Sequence, residues 1–219
     1  MSNVLVAAHD LERRYVVAGE TIVALAQATC EISAGARIAL AGRSGSGKST
    51  LLQLLAGIDT PTGGTVVWPA LPPAATVRPG YLAMVFQRES LLAPLTVLEN
   101  VELPLILAGA SNVGARDRAR ATLERFELVA LAESMPEELS GGQAQRVAFA
   151  RAMAQRPRVI LADEPTGQLD SETAERLLAT VRAELAPDAA LLIATHDERV
   201  AETLSVRWFM DRGRLERAS

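Results

Sequence analysis

The sequence contains a glycine-rich stretch that directly follows a short apolar strand and opens a helix. Its residues are Gly42, Arg43, Ser44, Gly45, Ser46, Gly47, Lys48, Ser49 and Thr50. Glycines let the backbone fold so that successive N–H groups face one anion, and the following helix adds its positive N-terminal end. Lys48 can reach the β- and γ-phosphates of a nucleotide, and the Ser49 hydroxyl can ligate Mg²⁺. The stretch therefore predicts a P-loop that binds a nucleoside triphosphate.

Two acidic residues, Asp163 and Glu164, follow the continuous apolar run 159–162. Carboxylates at the end of a buried strand lower the stability of the fold unless a positive charge lies close to them. Beside a P-loop, Asp163 is the acid expected in the Mg²⁺ shell, and Glu164 is placed to polarise an attacking water. Without the P-loop, two solvated residues at a strand end would be the competing interpretation.

A third stretch, 139–143, places Ser140, Gly141 and Gly142 at the start of another helix. Small residues and free N–H groups at a helix start predict a second phosphate-type site. One nucleotide has no use for two such sites far apart in one chain, but they make sense if this one meets the γ-phosphate held by another subunit. Taken alone, an ordinary Ser-Gly-Gly helix cap remains open as the alternative.

Together these motifs resemble those of the nucleotide-binding subunit of ABC transporters, over residues 8–215. Residues 139–143 match that family's signature motif letter for letter. Asp163 and Glu164 stand where the family has its Walker B pair. The resemblance implies an ATPase that uses ATP and Mg²⁺ and drives a separate integral-membrane permease.

The resemblance also assigns roles to four residues outside those motifs. Gln87 resembles the Q-loop glutamine that senses Mg²⁺ and faces the membrane partner, and His196 the switch histidine that contacts the γ-phosphate and orients the attacking water. Asp170, in the stretch 167–170, resembles the D-loop at the dimer interface, and Tyr15 the aromatic that stacks on adenine. Plainer alternatives are a polar loop residue for Gln87, a structural histidine for His196 and a core-filling aromatic for Tyr15.

The family's mechanism implies a homodimer. Two copies close head to tail around two ATP molecules, so that each ATP lies between the P-loop of one copy and the signature residues of the other, Ser140, Gly141, Gly142 and Gln143. The implied catalytic residues are Lys48, Glu164 and His196. The implied Mg²⁺ ligands are Ser49, Gln87 and Asp163.

Residues 91–105 and 162–167 resemble one branch of the family, the ATPases of lipoprotein release, macrolide and peptide export, and cell-division signalling. This branch implies export or mechanical transmission. Two features depart from the family's pattern. Only 39 residues separate Lys48 from Gln87, which predicts a trimmed, proline-stiffened β lobe around 65–79. Gln168 stands where relatives have asparagine, which keeps an amide.

Strands and helices alternate along the chain, which predicts a layered α/β fold with ligands at the carboxyl ends of its strands. Strands are expected at 3–8, 21–32, 37–41, 66–67, 81–86, 159–162 and 191–194, and helices at 48–57, 171–185 and over much of 96–154. The resemblance makes this a P-loop NTPase fold of the ABC ATPase type, with a parallel core sheet, a small antiparallel β lobe and a helical lobe. One domain is expected over 1–219, with a RecA-like core at about 1–86 and 157–219 and the helical lobe at about 88–156.

Composition limits the partners. The net charge of −4 disfavours a nucleic-acid binder. The single Cys30 excludes an internal disulfide and indicates a buried strand thiol. No segment offers the roughly 18 uninterrupted apolar residues that a membrane span needs. Another chain is therefore expected to span, with this one peripheral at the cytoplasmic face of the inner membrane.

Two other function classes use ATPases of this family. ABC ATPases that act on DNA or ribosomes usually carry tandem modules, a coiled coil or zinc-binding cysteines, and the sequence has none of these. A mechanical signalling complex whose permease moves no substrate, as in cell-division control, would use the same ATPase. This second alternative stays open.

Overall fold

The computed structural model describes residues 3–71, 80–87 and 90–217, and within these ranges two β-sheets carry the fold. In chain order the strands are β1 (Val4–Val17), β2 (Glu20–Ser33), β3 (Arg37–Ala41), β4 (Gly63–Val67), β5 (Leu82–Val85), β6 (Val159–Asp163), β7 (Ala190–Thr195), β8 (Val206–Asp211) and β9 (Arg214–Arg217). The helices are α1 (Lys48–Leu55), α2 (Val97–Leu107), α3 (Asn112–Arg125), α4 (Gly141–Met153), α5 (Ser171–Glu184) and α6 (Glu198–Glu202). The predicted α/β class is confirmed. Most of the segment predicted to be proline-stiffened, residues 72–79, lies outside the described ranges.

The central sheet has the strand order β5-β6-β7-β3-β8-β9, and its strands are parallel except for the antiparallel edge strand β9. Every residue of β6 and β7 is buried, because other elements of the fold cover both faces of the central sheet. This explains why both strands are unbroken apolar runs. The sequence interpretation missed β8 and β9, since β8 is only half buried and its polar residues interrupt the apolar pattern.

The antiparallel lobe has the order β2-β1-β4. A two-residue turn joins β1 to β2, and both of its residues, Ala18 (φ 51°) and Gly19 (φ 85°), have positive φ. This is the type I′ geometry that suits the twist of a hairpin. The predicted segment 3–8 extends much further, to Val17, and pairs with β2 along most of its length through several irregularities.

Two hydrophobic clusters lie on opposite faces of the central sheet. On one face, α1 and the antiparallel lobe pack Leu51, Leu55 and Leu5 against the sheet, and the thiol of Cys30 is fully buried there, as predicted. On the other face, α5 and the helices α2 to α4 bury Phe149 and their aliphatic side chains. Among the helices in the described part of the chain, none combines the length and the apolarity that crossing a bilayer requires.

Candidate functional site

The carboxyl ends of β3, β6 and β7 meet at one edge of the central sheet. Ala41 pairs with Thr195, and Asp163 pairs with Ala194, so the segments that follow these strands emerge side by side. A cavity of about 300 Å³ opens at this edge. Its lining includes the predicted P-loop residues Ser44, Gly45, Ser46, Gly47, Lys48, Ser49 and Thr50, together with Gln87, Glu164 and His196.

Close backbone contacts fix the shape of the P-loop. Gly47 has φ 108°, and a Cβ atom there would lie 2.5 Å from the carbonyl oxygen of Ala24, so only glycine fits. The turn between β8 and β9 supports the same loop, because Gly213 N donates to Ser46 O (2.8 Å) and Gly213 O accepts from Ala26 N (2.7 Å). The sequence interpretation missed Ala24 and Gly213 as supports. Recognising the β8–β9 hairpin would have pointed to Gly213.

The side chain of Lys48 is buried beneath the loop, with 6% of its surface exposed. Its ammonium donates to the carbonyl oxygens of Gly42 (2.7 Å) and Arg43 (3.2 Å), and it lies 3.2 Å from Oε1 of Glu164. These three oxygens match the three donors of an ammonium group. A buried lysine is tolerated here because each donor and the charge are compensated.

Glu164 has a positive φ of 44°, which is uncommon for a non-glycine residue. Its N–H donates to the carbonyl oxygen of Ala194 (2.8 Å), which ties it to β7. Its Oε2 lies 2.8 Å from Nδ1 of His196. Because a carboxylate only accepts, Nδ1 carries the proton, so Glu164 is held by a lysine on one oxygen and a histidine on the other.

Asp163 ends β6 with 6% of its surface exposed. Burial raises the pKa of this carboxyl, and the neighbouring Glu164 adds to the rise, while the Ser49 hydroxyl and Lys48 act to lower it. Within the described residues, its Oδ1 is buried and has no hydrogen-bond partner. An unpaired carboxylate oxygen beside a serine hydroxyl is a donor set that fits Mg²⁺, which binds proteins through one or two carboxylates plus phosphate oxygens.

The signature residues lie away from this cavity. Ser140 caps α4: its hydroxyl accepts from Gln143 N (3.3 Å), and its N–H donates to the Gln143 amide oxygen (2.8 Å). Gly141 and Gly142 face the stretch 167–170 rather than the P-loop, since Cβ atoms on them would lie 3.8 Å from Gln168 Oε1 and 3.4 Å from Leu169. The two stretches predicted to bind phosphate therefore do not line one cavity within a single chain.

Among the other predicted residues, Gly42, Asp163, Asp170, Tyr15 and Arg43 also lie outside the cavity lining. Asp170 caps α5, and hydrogen bonds from the backbone and side chain of Thr173 lower its pKa. Tyr15 lies on β1 opposite Ile22, which does line the cavity. Arg43 is exposed at the start of the P-loop.

Comparison with known proteins gives consistent results. A family model described as ABC transporter matches residues 25–167. The lipoprotein-releasing system ATP-binding protein LolD of Gluconobacter oxydans is 42% identical over 205 residues, which cover 89% of this chain and 87% of that protein. The macrolide export ATP-binding/permease protein MacB of Vibrio parahaemolyticus is 38% identical over 208 residues, 92% of this chain but 32% of MacB.

Solved structures show the same similarity. The bacterial ABC transporter cassette MJ0796, solved as a dimer, matches with a TM-score of 0.87 and 37% identity, and the match covers 97% of both chains. The same cassette in a post-hydrolysis state bound to ADP and Pi matches with a TM-score of 0.88 and 36% identity, again over 97% of both chains.

Proposed function

The chain belongs to the ABC transporter family, as an ATP-binding cassette that hydrolyses ATP, and we propose that it drives a separate integral-membrane permease of the export or mechanical-transmission type. Its similarity to LolD and MacB supports lipoprotein release or macrolide export as the transport process that its ATP hydrolysis powers. We place it as a peripheral subunit at the cytoplasmic face of the membrane that holds the permease.

One observation carries the proposal that the working unit is a head-to-tail dimer. Ser140, Gly141 and Gly142 do not line the cavity that contains Lys48 of the same chain. Yet the P-loop and the signature residues both offer N–H groups at the start of a helix. A second copy can bring its signature residues to the γ-phosphate held by the first. Each catalytic pocket then consists of parts of two polypeptides.

We propose the following contacts for the bound nucleotide. The P-loop N–H groups and Lys48 bind the β- and γ-phosphates, and Tyr15 stacks on the adenine. Because Lys48 also pairs with Glu164, the γ-phosphate competes with this carboxylate for the ammonium. Binding of ATP thereby frees Glu164 to polarise the attacking water, while His196 Nδ1 keeps the carboxylate in place.

Ser49, Asp163 and Gln87 would hold Mg²⁺. When bound there, the ion neutralises charge on the phosphate oxygens. The rise in the pKa of Asp163 by burial supports this role, since a divalent cation would compensate that buried charge.

We also propose that the chain divides into a core at about 1–86 and 157–219 and a helical lobe at about 88–156, which carries the signature residues. The lobe begins soon after Gln87, which lines the cavity. Movement of the lobe relative to the core would carry the effect of ATP to the permease, as a change between two states biased by the nucleotide.

Capture of the permease tests the proposal. Tagged Glu164→Gln chain, loaded with ATP and Mg²⁺, is used to isolate complexes from detergent-solubilised membranes, and Lys48→Ala, which lacks the phosphate-binding ammonium, is the control. The expected product is an integral-membrane protein retained by Glu164→Gln and lost with Lys48→Ala. Recovery of ribosomes or DNA instead would overturn the assignment.

A further inference from the structure

Three side chains beside the phosphate cavity form a closed network. The Tyr15 hydroxyl donates to Oδ2 of Asp59 (2.8 Å). Arg13 Nε donates to the same Oδ2 (2.8 Å), and its Nη2 lies 2.8 Å from Oδ1. The Arg13 guanidinium also lies over the Tyr15 ring, 4.5 Å from the ring centroid. Each of the three residues therefore contacts the other two.

Asp59 is the anchor of this network. It lies in the turn after α1, the helix that begins at Lys48. Partial burial acts to raise the pKa of its carboxyl, but hydrogen bonds from Tyr15 and from the N–H of Thr60, together with the charge of Arg13, outweigh burial and bring the pKa below its usual value. The carboxylate is therefore charged at neutral pH and holds both partners through strong, charge-assisted hydrogen bonds.

The network constrains how the tyrosine can be used. Its hydroxyl end is fixed by Asp59, and one face of its ring is covered by the guanidinium, which is favourable through the cation–π interaction. A base that stacks on Tyr15 must therefore use the opposite face. Because the ring is ordered by the fold itself, the entropic cost of immobilising this side chain is not incurred again when a ligand binds.

We propose that Asp59 and Arg13 are positioning residues for the nucleotide base: they hold Tyr15 in one orientation and leave one ring face for adenine. The inference rests on the stacking role of Tyr15 given under Proposed function. Asp59 and Arg13 act through Tyr15 and do not contact the phosphates.

The test separates base binding from phosphate binding. Dissociation constants for ATP and for inorganic tripolyphosphate, which has no base, are measured with the purified chain for Asp59→Asn, Tyr15→Phe and the double variant. Tyr15→Phe keeps the ring and removes only the hydroxyl. Arg14→Ala is the matched control, because Arg14 is the adjacent arginine of β1 and pairs with Glu12 instead.

We expect each single variant to weaken ATP binding roughly two- to tenfold, the range set by ordering one side chain. The double variant should be no weaker than the stronger single variant, tripolyphosphate binding should not change, and the loss should appear in KM rather than kcat. Arg14→Ala should bind both ligands like the parent. The proposal is overturned if Asp59→Asn weakens tripolyphosphate as much as ATP, since the network would then only support the P-loop, or if neither single variant affects ATP.

A Tyr15→Ala variant distinguishes this failure from failure of the stacking role. If Tyr15→Ala weakens ATP and leaves tripolyphosphate unchanged while Asp59→Asn and Tyr15→Phe have no effect, stacking stands and the positioning role of Asp59 is wrong. If Tyr15→Ala binds ATP like the parent, both assignments fail.

Discussion

The ammonium of Lys48 and the carboxylate of Glu164 form a buried ion pair, 3.2 Å apart, between the P-loop and the segment after β6. Both side chains are more than nine-tenths buried. A phosphate that binds Lys48 therefore acts directly on the acid that we assign to water activation. The ion pair thereby couples nucleotide binding to the freeing of the Glu164 carboxylate from Lys48 within one chain.

Replacement of Glu164 by glutamine should preserve ATP binding and lower kcat by roughly 10²–10³, because the amide cannot accept a proton from water. Steady-state hydrolysis and ATP titration measure the two effects separately. Glu124→Gln changes an exposed glutamate of α3 and should leave both parameters unaltered. Turnover by Glu164→Gln at the parental rate would show that another group activates the water.

Replacement of His196 by alanine removes the 2.8 Å hydrogen bond to Glu164 and should lower kcat by about 10²-fold or more, with little effect on KM for ATP. The chain's second histidine, His9, is exposed on β1. His9→Ala is thus the matched control and should hydrolyse ATP normally. If the two variants hydrolysed ATP equally well, His196 would have only a structural role.

The Asp163→Asn variant should be more stable than the parent when Mg²⁺ and nucleotide are both left out. The folded-state pKa of Asp163 is raised by burial, so the folded protein binds this proton more tightly than the unfolded chain. The stability of the parent therefore falls as pH rises from the unfolded pKa, about 3.9, through the raised folded pKa, and the cost is complete only above the folded pKa.

Thermal unfolding measures this prediction. Each kcal/mol recovered raises the Tm by about 2–4 °C in a domain of this size, and the difference between Asp163→Asn and the parent should disappear at acid pH. Mg²⁺ with ATP should stabilise the parent far more than the variant. A lower Tm for Asp163→Asn at pH 7 would contradict the assignment of a costly buried charge.

Replacement of Gly213 by alanine should weaken ATP binding although Gly213 does not line the phosphate cavity. Gly213 has φ 77°, and an added Cβ would lie 3.1 Å from Ala24 O, so the turn that supports Ser46 must shift. We expect a loss of about 1–3 kcal/mol in stability and roughly fivefold in the Kd for ATP, about 1 kcal/mol. Gly109→Ala, at φ 90° with open space around it, should lose stability but bind ATP normally.

The parts of the site that local sequence determines were predictable. Residues Gly42 to Thr50 follow β3, and the unbroken apolar runs of β6 and β7 identify fully buried strands. Glu164, expected beside the P-loop from its place after a buried strand, and His196, expected there from the family resemblance, both line the cavity. The separation of the signature residues from that cavity was inferred from their position in the chain.

Other features depend on contacts that no local pattern encodes. The Lys48–Glu164 pair and the support of Ser46 by Gly213 each join residues that lie far apart in the chain. The strand β1 was predicted too short because irregularities near Leu11 and Arg13 break its alternation. The network of Arg13, Tyr15 and Asp59 likewise depends on packing between β1 and the turn after α1.

The central claim is that one catalytic pocket is built from two chains, and sedimentation of the Glu164→Gln variant with ATP and Mg²⁺ tests it most directly. Gly141→Asp is introduced into the same background: an acid is favourable at the start of α4, its Cβ meets nothing closer than 3.8 Å within its own chain, and it should repel a phosphate held by a second copy. We predict that Glu164→Gln sediments at twice the mass of one chain, whereas Glu164→Gln with Gly141→Asp binds ATP but stays monomeric. An ATP-loaded Glu164→Gln chain that remains a monomer, or a dimer that the Gly141→Asp change leaves intact, would contradict the claim.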